Sequence, residues 1–203
     1  MNALLFAALL VTDAGVAEPE RLPAACVGRN LDVDRLFASG RCDVADFPRP
    51  SPDASALGIE LSPKKLVVRS GKTGRVRITL RNLTAAPLPL DLSEACGATF
   101  EPMLFSSNDT RADFPDTCLV GDGGSCNVIV ARVVLAPRGV ARLHVPVSAT
   151  KAVGGETCHP TTLMPIEAGT YKLIVNTPFG RRVPDSSDKE TRQVTGELTV
   201  VDR

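Results

Sequence analysis

The sequence is poor in aromatic side chains and in histidine. It has no Trp and one Tyr, aromatic residues make up 4% of its 203 positions, and His occurs twice. A hydrophobic core must therefore rest on Val, Leu, Ile and Ala. We recognise no serine nucleophile elbow and no pair of carboxylates that the sequence places together. These absences predict a protein that is not an enzyme and that needs no metal or other cofactor.

An excess of charge of one sign is also missing. The chain has 23 Lys and Arg residues against 23 Asp and Glu residues, for a formal net charge of zero. No basic stripe stands out along the sequence. This neutral balance argues against nucleic acid as a partner and against electrostatic adhesion to an anionic membrane.

The chain lacks a hydrophobic run long enough to cross a membrane. The apolar run LLFAALLV at 4–11 is shorter than the roughly 18–20 residues that a spanning helix requires, and the polar stretch TDAGVAEPE follows it. This order is typical of a secretory signal, which we place at 1–17 with cleavage after Ala17. No basic residue precedes the run, so a buried N-terminal strand or a mis-assigned start is the alternative. The mature protein is expected to be secreted or periplasmic, without a transmembrane helix.

The sequence contains six cysteines, an even number that indicates disulfides in an exported chain. The shortest spacing is eight residues, whereas zinc sites usually bring cysteines in closer pairs. We expect Cys26 to pair with Cys42. Two connectivities remain for the others: Cys118–Cys126 with Cys96–Cys158, or Cys96–Cys118 with Cys126–Cys158. Because LPAAC at 22–26 resembles a lipobox, a second possibility is an outer-membrane lipoprotein anchored through Cys26.

Residues 18–56 have the pattern of an irregular arm and a linker. A short helix is predicted over 31–38, with Asn30 as its N-cap and Gly40 at its end. The Pro-rich segment DFPRPSPDAS at 46–55 is predicted to be the linker.

From residue 57 to 203 the sequence alternates between apolar and polar positions, which indicates β-strands with one buried face. About seven to nine short strands and one weak helix predict an all-β fold, an antiparallel immunoglobulin-like (Ig-like) β-sandwich with a short N-terminal helical arm. APRG at 136–139 is interpreted as a turn, and Gly196 on an apolar face predicts a close backbone neighbour. The predicted strands lie at 66–70, 74–82, 87–92, 99–107, 126–135, 140–147, 170–177 and 193–201.

Three segments resemble Ig-like bacterial domains. EAGTYKLIVNTP at 167–178 resembles their sixth-strand region, where a Gly-x-Tyr pair follows a tight turn as Gly169 and Tyr171 do here. GRVRITLRNLTAAPLPLDL resembles their second and third strands, and LAPRGVARLHVPV a turn with its following strand. The region 60–202 is thus similar to the intracellular proteinase inhibitor family of bacilli. It is closer to uncharacterised exported Ig-like proteins of high-GC Gram-negative bacteria. This resemblance implies a structural role for Tyr171, whose hydroxyl would bond back to the corner that it follows.

The remaining candidates for chemistry have plain structural explanations. His144 falls on the polar face of a strand, and His159 follows Cys158 in a loop where no third group orients it. The acidic loop 106–126 does not have the spacing of a calcium loop; its carboxylates are Asp109, Asp113, Asp116 and Asp122. We therefore expect an exported, non-enzymatic module that binds a protein or envelope component through a sheet face or the loop 106–125. The alternative is a secreted proteinase inhibitor with its reactive loop at 106–125 or 178–191.

Overall fold

The structure is a computed structural model that describes residues 22–44, 52–92, 100–113, 130–153, 162–182 and 189–202. Within these ranges the chain forms twelve β-strands, one α-helix (α1, Val33–Ser39) and one turn of 3₁₀ helix, Ala24–Cys26. The strands are β1 Val27–Asp32, β2 Asp43–Val44, β3 Leu57–Ser62, β4 Lys65–Arg69, β5 Thr73–Asn82, β6 Leu88–Asp91, β7 Glu101–Phe105, β8 Val130–Ser148, β9 Thr150–Val153, β10 Thr162–Pro165, β11 Gly169–Arg182 and β12 Lys189–Val201. None of the described helices has the length and apolar character needed to cross a membrane.

The strands form two main sheets that share one hydrophobic core. The first sheet has the order β3-β5-β8-β1, with β2 and β6 also paired to β8, and the second has the order β4-β12-β11-β7. Strands β9 and β10 form a separate hairpin. The predicted all-β class is confirmed, but the sheets are mixed, because β1 runs parallel to β8 and β4 runs parallel to β12.

Alternation along the strands builds the core, as the sequence predicted. Val76, Ile78 and Leu80 of β5 are fully buried against residues from β8 and the second sheet. Their neighbours Arg75 and Arg77 are exposed. Each buried aliphatic side chain contributes about 1.5–3 kcal/mol, so this cluster supplies the main stabilisation of a chain that is poor in aromatics.

Strand β8 corrects one prediction, because APRG at 136–139 is a bulge within one strand and not a turn between two. The parallel register with β1 jumps from Gly28–Leu135 to Asn30–Val140 across this segment. A Cβ on Gly139 would lie 2.8 Å from the Ala136 carbonyl oxygen, so only glycine permits this tight path. On the opposite side of β8, strands β5 and β6 lie end to end.

The amide of Asn82 stabilises this bulge. Its Nδ2 donates to the carbonyl oxygens of Leu135 and Ala136 at 3.2 and 3.0 Å, and to that of Ala86 at 2.8 Å. These bonds tie the end of β5 to the bulge of β8 and to the loop before β6.

The N-terminal arm is part of the first sheet. Its strand β1 pairs with β8, and the predicted helix is present as α1 but begins two residues later than expected. Asn30 lies in β1, and the N-cap is Asp32, whose carboxylate accepts from the Arg35 N–H at 3.2 Å. The cap prediction is wrong because strand pairing holds the backbone extended as far as Asp32. The helix ends at Gly40 in the left-handed region, as predicted.

The predicted disulfide Cys26–Cys42 is present and closes the arm. The sulfur of Cys26 is therefore bonded to Cys42 and is not available for the thioether of a lipid anchor, which corrects that possibility. The other four cysteines, Cys96, Cys118, Cys126 and Cys158, lie outside the described residues, as do the predicted signal 1–17 and most of the linker.

Several strands were not predicted. These are β1, β2, β9 and β10, and β3 was not recognised as a separate strand. The expected loop 178–191 is largely a hairpin, since β11 extends to Arg182 and β12 begins at Lys189. Gly196 confirms its prediction: a Cβ there would lie 2.9 Å from the carbonyl oxygen of Lys64.

Candidate functional site

The outer face of the first sheet carries a row of exposed arginines. On β5, the alternation that buries Val76 and Ile78 turns Arg75, Arg77 and Arg81 outward. On β8, the same rule buries Ala141 and Leu143 and turns Arg142 outward. The strand pattern alone therefore brings arginines from two distant segments to one surface.

The register between β5 and β8 aligns these arginines. Arg77 is opposite His144, Thr79 is opposite Arg142, and Arg81 is opposite Val140. Successive outward positions of a strand are about 6.6–6.8 Å apart. Four consecutive rows therefore each hold one arginine, in a file about 20 Å long. We call Arg75, Arg77, Arg142 and Arg81 the basic strip.

The charges of the basic strip are largely uncompensated. Within the described part of the chain, Arg75, Arg77 and Arg142 form no ion pair. Arg81 lies 3.9 Å from Glu60, and both side chains are more than half exposed. Such an exposed pair contributes at most about 1 kcal/mol, so Arg81 stays available to another anion.

Carboxylates border the strip on both sides. Glu60 lies on β3, beside the row of Thr79 and Arg142. On the other side, the Asp34 carboxylate of α1 accepts from the His144 backbone N–H at 3.0 Å and contacts His144 Nδ1 at 2.7 Å. His144 is thus half-exposed, as its polar-face position predicted, but bonded to the arm.

The strip continues into a cleft at one end of the sheet. Beyond Arg75, the Thr73 and Ser148 hydroxyls are 2.9 Å apart and open onto a cavity of about 650 Å³. Arg69 and Lys72 are exposed at its rim and form no ion pair with any described residue. The cleft is lined by Arg69, Ser70, Gly71, Lys72, Thr73, Ser148, Thr150, Leu163 and Pro165.

The described part of the acidic loop 106–126 is internally neutralised. Arg111 donates to Asp113 and to Glu101, each at 3.1 Å. Burial acts to lower the pKa of Arg111, but Asp113 and Glu101 outweigh it, so the pKa is raised. Asp109 is exposed, and its Oδ1 lies 3.8 Å from Lys172 Nζ. Asp116 and Asp122 lie outside the described residues, and no three potential metal ligands cluster within the described ranges.

Gly169 and Tyr171, the Gly-x-Tyr pair of the resemblance, lie at the start of β11. The Tyr171 hydroxyl donates to the carbonyl oxygen of Glu167 at 2.9 Å, closing the corner before the strand. A Cβ on Gly169 would meet the Tyr171 ring at 3.7 Å, an ordinary contact. Burial raises the pKa of Tyr171, and the charge of Glu167 raises it further. His159 and Cys158 are outside the described residues.

Sequence reasoning missed the basic strip, and the reason is specific. A neutral net charge says nothing about how charges are distributed once strands pair. The signal was the arginine at every second position of RVRITLR at 75–81, but Arg142 joins this row only through the β5–β8 register. The expectation that no basic stripe exists is therefore wrong for the folded chain.

No family model and no curated protein matches the chain. Among solved structures it is similar to a β-glucosidase from Listeria innocua in complex with glucose, with 14% identity and a TM-score of 0.33 over 73% of this chain and 16% of that one. The gluconolactone complex of the same β-glucosidase has 14% identity and a TM-score of 0.35, over 73% of this chain and 16% of that one. Native alpha-2-macroglobulin from Escherichia coli has 18% identity and a TM-score of 0.31, over 75% of this chain and 17% of that one. The chain thus spans 16–17% of the length of the chains in these structures, the last of which runs from domain MG7 to the C-terminus.

Proposed function

We propose that this protein is an exported, non-enzymatic, Ig-like interaction module that binds an anionic partner through its basic strip. The observation that carries the proposal is the file of arginines on one sheet face, three of which have no ion pair within the described ranges. Because they stand on paired strands, the spacing of their backbone positions is set before a ligand arrives, which lowers the entropic cost of binding.

The strand order supports an Ig-like relationship. An Ig sandwich places strands A, B, E and D in one sheet and strands C, F and G in the other. Here β3, β5 and β8 occupy the places of A, B and E, while β7, β11 and β12 occupy those of C, F and G. Among the described residues no strand takes the place of D, and β1 from the N-terminal arm pairs with β8 at that edge in the parallel direction. The Tyr171–Glu167 bond agrees with the tyrosine corner of such folds.

The Cys26–Cys42 disulfide supports export, since disulfides persist mainly in oxidising compartments. Intact mass spectrometry of the non-reduced protein from its own host tests this part of the proposal. We expect the mass of residues 18–203 less six hydrogens. A full-length chain with six free thiols would instead contradict export.

Cation-exchange chromatography tests the anion-binding face. At neutral pH and low salt, a protein of zero net charge should still be retained on a sulfonated resin through the basic strip. We expect R75E/R77E to pass through unretained. The matched control is K65E/K172E, which makes the same charge change on exposed lysines of the second sheet and should elute like the native chain. An equal loss of retention in the two variants would contradict a localised anion-binding site.

A secreted proteinase inhibitor is the second candidate, and the loop after β7 favours it. The Ser106 hydroxyl bonds the Asn108 side chain and donates to the Thr110 carbonyl at 3.0 Å. Arg111 then ties the loop to Glu101. An exposed loop held in one conformation is what a protease-binding loop requires. Full activity of trypsin-type and subtilisin-type proteases at micromolar protein would eliminate this candidate.

A further inference from the structure

We infer that the partner of the basic strip is a linear acidic polysaccharide, a glycan that carries anionic groups at regular intervals along one chain. This inference rests on the proposed function and names its ligand class. Four properties of the strip favour this ligand class over other anionic partners. They are its width, the pairing of its backbone within the sheet, its lack of aromatic side chains and its length.

The strip is one cation wide. It occupies β5 and β8, which lie about 4.8 Å apart, and Glu60 and Asp34 flank it on either side. A planar anionic surface such as a membrane would meet these carboxylates as well as the arginines. A single thin polyanion can follow the arginines and pass between the acids, so the charge pattern favours a chain-like ligand.

The face that carries the strip offers a ligand side chains and not backbone groups, because the hydrogen-bonding groups of a strand lie in the plane of its sheet. Along Thr73–Arg81, strand β5 pairs with β8 on one side, and its 77–82 portion pairs with β3 on the other. Extended peptides are usually recognised by adding a strand to an open sheet edge, which a sheet face does not provide. A polysaccharide needs only side-chain contacts to its anionic groups and hydroxyls.

The strip also lacks a stacking platform. The outward positions of β5 and β8 carry no Phe, Tyr or Trp, and the single Tyr of the chain is on the second sheet. Single-stranded nucleic acids depend on aromatic side chains for about 1–3 kcal/mol per stacked base. Without these, and with only one file of charges, an acidic glycan fits better than a nucleic acid.

The length and the end of the strip suit a polymer. Four arginine rows span about 20 Å, and Lys72 and Arg69 extend the positive charge into the cleft. The guanidinium group binds a carboxylate through two parallel N–H donors, which suits a uronate or a similar group. At the end of the file, the Thr73 and Ser148 hydroxyls are placed to bond the hydroxyls of a further sugar unit.

Calorimetric titration with oligogalacturonate, using uncharged malto-oligosaccharide of the same length as its control, tests the inference. We expect saturable binding of the acidic chain only, weakening as salt is raised. R77E/R142E should lower the affinity at least about tenfold, which corresponds to about 1.4 kcal/mol. K65E/K172E should leave the affinity unchanged. The neutral variant R77Q/R142Q should give an intermediate loss, and the circular dichroism of each variant shows whether it folds.

The same titrations with poly-glutamate, single-stranded DNA and phosphatidylglycerol vesicles decide between ligand classes. Strip-dependent binding of any of these that equals or exceeds the binding of oligogalacturonate would overturn the polysaccharide inference. Retention on the sulfonated resin without oligogalacturonate binding would overturn the inference and leave the proposed function standing. If the native chain is neither retained on the sulfonated resin nor binds oligogalacturonate, both the inference and the proposed function are contradicted.

Discussion

Gly196 shows how a single missing side chain lets two backbones approach. It lies in β12, where a Cβ would be 2.9 Å from the Lys64 carbonyl oxygen and 3.0 Å from Leu61 Cδ2. That carbonyl also accepts the Glu197 N–H at 2.8 Å, so it cannot move away without breaking a bond.

We expect Gly196→Ala to destabilise the protein by about 1–3 kcal/mol through overpacking against a fixed backbone atom. Urea denaturation measures the change in the free energy of unfolding. Gly58→Ala is the matched control, because its nearest contact would be the Leu83 side chain at 3.5 Å. Equal effects of the two substitutions would contradict the role given to the Lys64 carbonyl.

Tyr171 gives a prediction about alkaline pH. Burial, together with the charge of Glu167, raises the folded-state pKa of Tyr171 above its ordinary value of 10.0. The folded protein therefore holds the phenolic proton more tightly than the unfolded chain. This contribution is complete below pH 10 and is lost as the pH rises through the folded-state pKa.

We expect Tyr171→Phe to cost up to about 1 kcal/mol at neutral pH, through loss of the bond to the Glu167 carbonyl. Above pH 10 the native chain should lose more stability than the variant, because Phe does not titrate. Urea denaturation at both pH values, with near-ultraviolet absorbance to follow phenolate formation, measures this difference. Parallel losses in the two proteins would refute the titration argument.

At the scale of elements, a buried ion pair joins β6 to β8. Arg132 Nε and its terminal nitrogen donate to the two oxygens of Asp91 at 2.7 and 3.1 Å, and both side chains are at most 7% exposed. We expect Arg132→Met to destabilise by about 3–5 kcal/mol, because it leaves the Asp91 carboxylate buried without its bidentate partner.

The exposed pair Lys65–Glu197 is the control for this prediction. Its lysine is 79% exposed, so Lys65→Met should change the free energy of unfolding by less than about 1 kcal/mol. Denaturation of the two variants under one condition gives the comparison. A cost of Arg132→Met as small as that of Lys65→Met would show that the buried pair is dispensable.

The arm is a second element whose attachment can be tested. The Cys26–Cys42 bridge closes a separation of 16 residues around β1 and α1. We expect Cys26→Ser with Cys42→Ser to cost roughly 3 kcal/mol and to speed hydrogen exchange of the β1 amides. Retention of native stability and exchange would show that strand pairing and the Asp34–His144 contact hold the arm unaided.

At the scale of the whole molecule, the arm also covers a sheet edge. Strand β1 pairs with β8 between Val134 and Arg142, and Leu31 and Val33 from the arm are buried in the core. Without them, β8 would present unpaired backbone groups and an apolar surface. We expect a chain that begins at residue 52 to self-associate at concentrations where the full chain does not.

Light scattering after size-exclusion chromatography measures this association, with the full chain at equal concentration as the control. Hydrogen exchange should locate the new interface along 134–142. The same oligomeric state for both chains, with these amides freely exchanging in the shortened one, would contradict a protective role for the arm.

The sequence by itself determined the local features of this protein. Alternation in β5 and β12 predicted which apolar side chains are buried, because a strand has a period of two whatever it pairs with. Thr79 is an exception, since it lies on the polar face of β5 but is buried. Because glycine has no Cβ, we expected Gly40 to end the helix and Gly196 to lie close to another backbone segment. Gly40 is the C-cap of α1, and Gly196 lies against the Lys64 carbonyl. The flanking of a short helix by Cys26 and Cys42 predicted their disulfide.

Only the tertiary structure decided the features that depend on register. Asp32 replaced Asn30 as the helix cap because β8 holds β1 extended. APRG became a bulge because β1 pairs with β8 on both sides of it, while β6 pairs with β8 before it and β5 after it. The basic strip exists because Thr79 is opposite Arg142, so that β8 fills the row that β5 leaves without an arginine. Strand pairing is a long-range property, and local periodicity carries no information about which residues of two distant strands are neighbours.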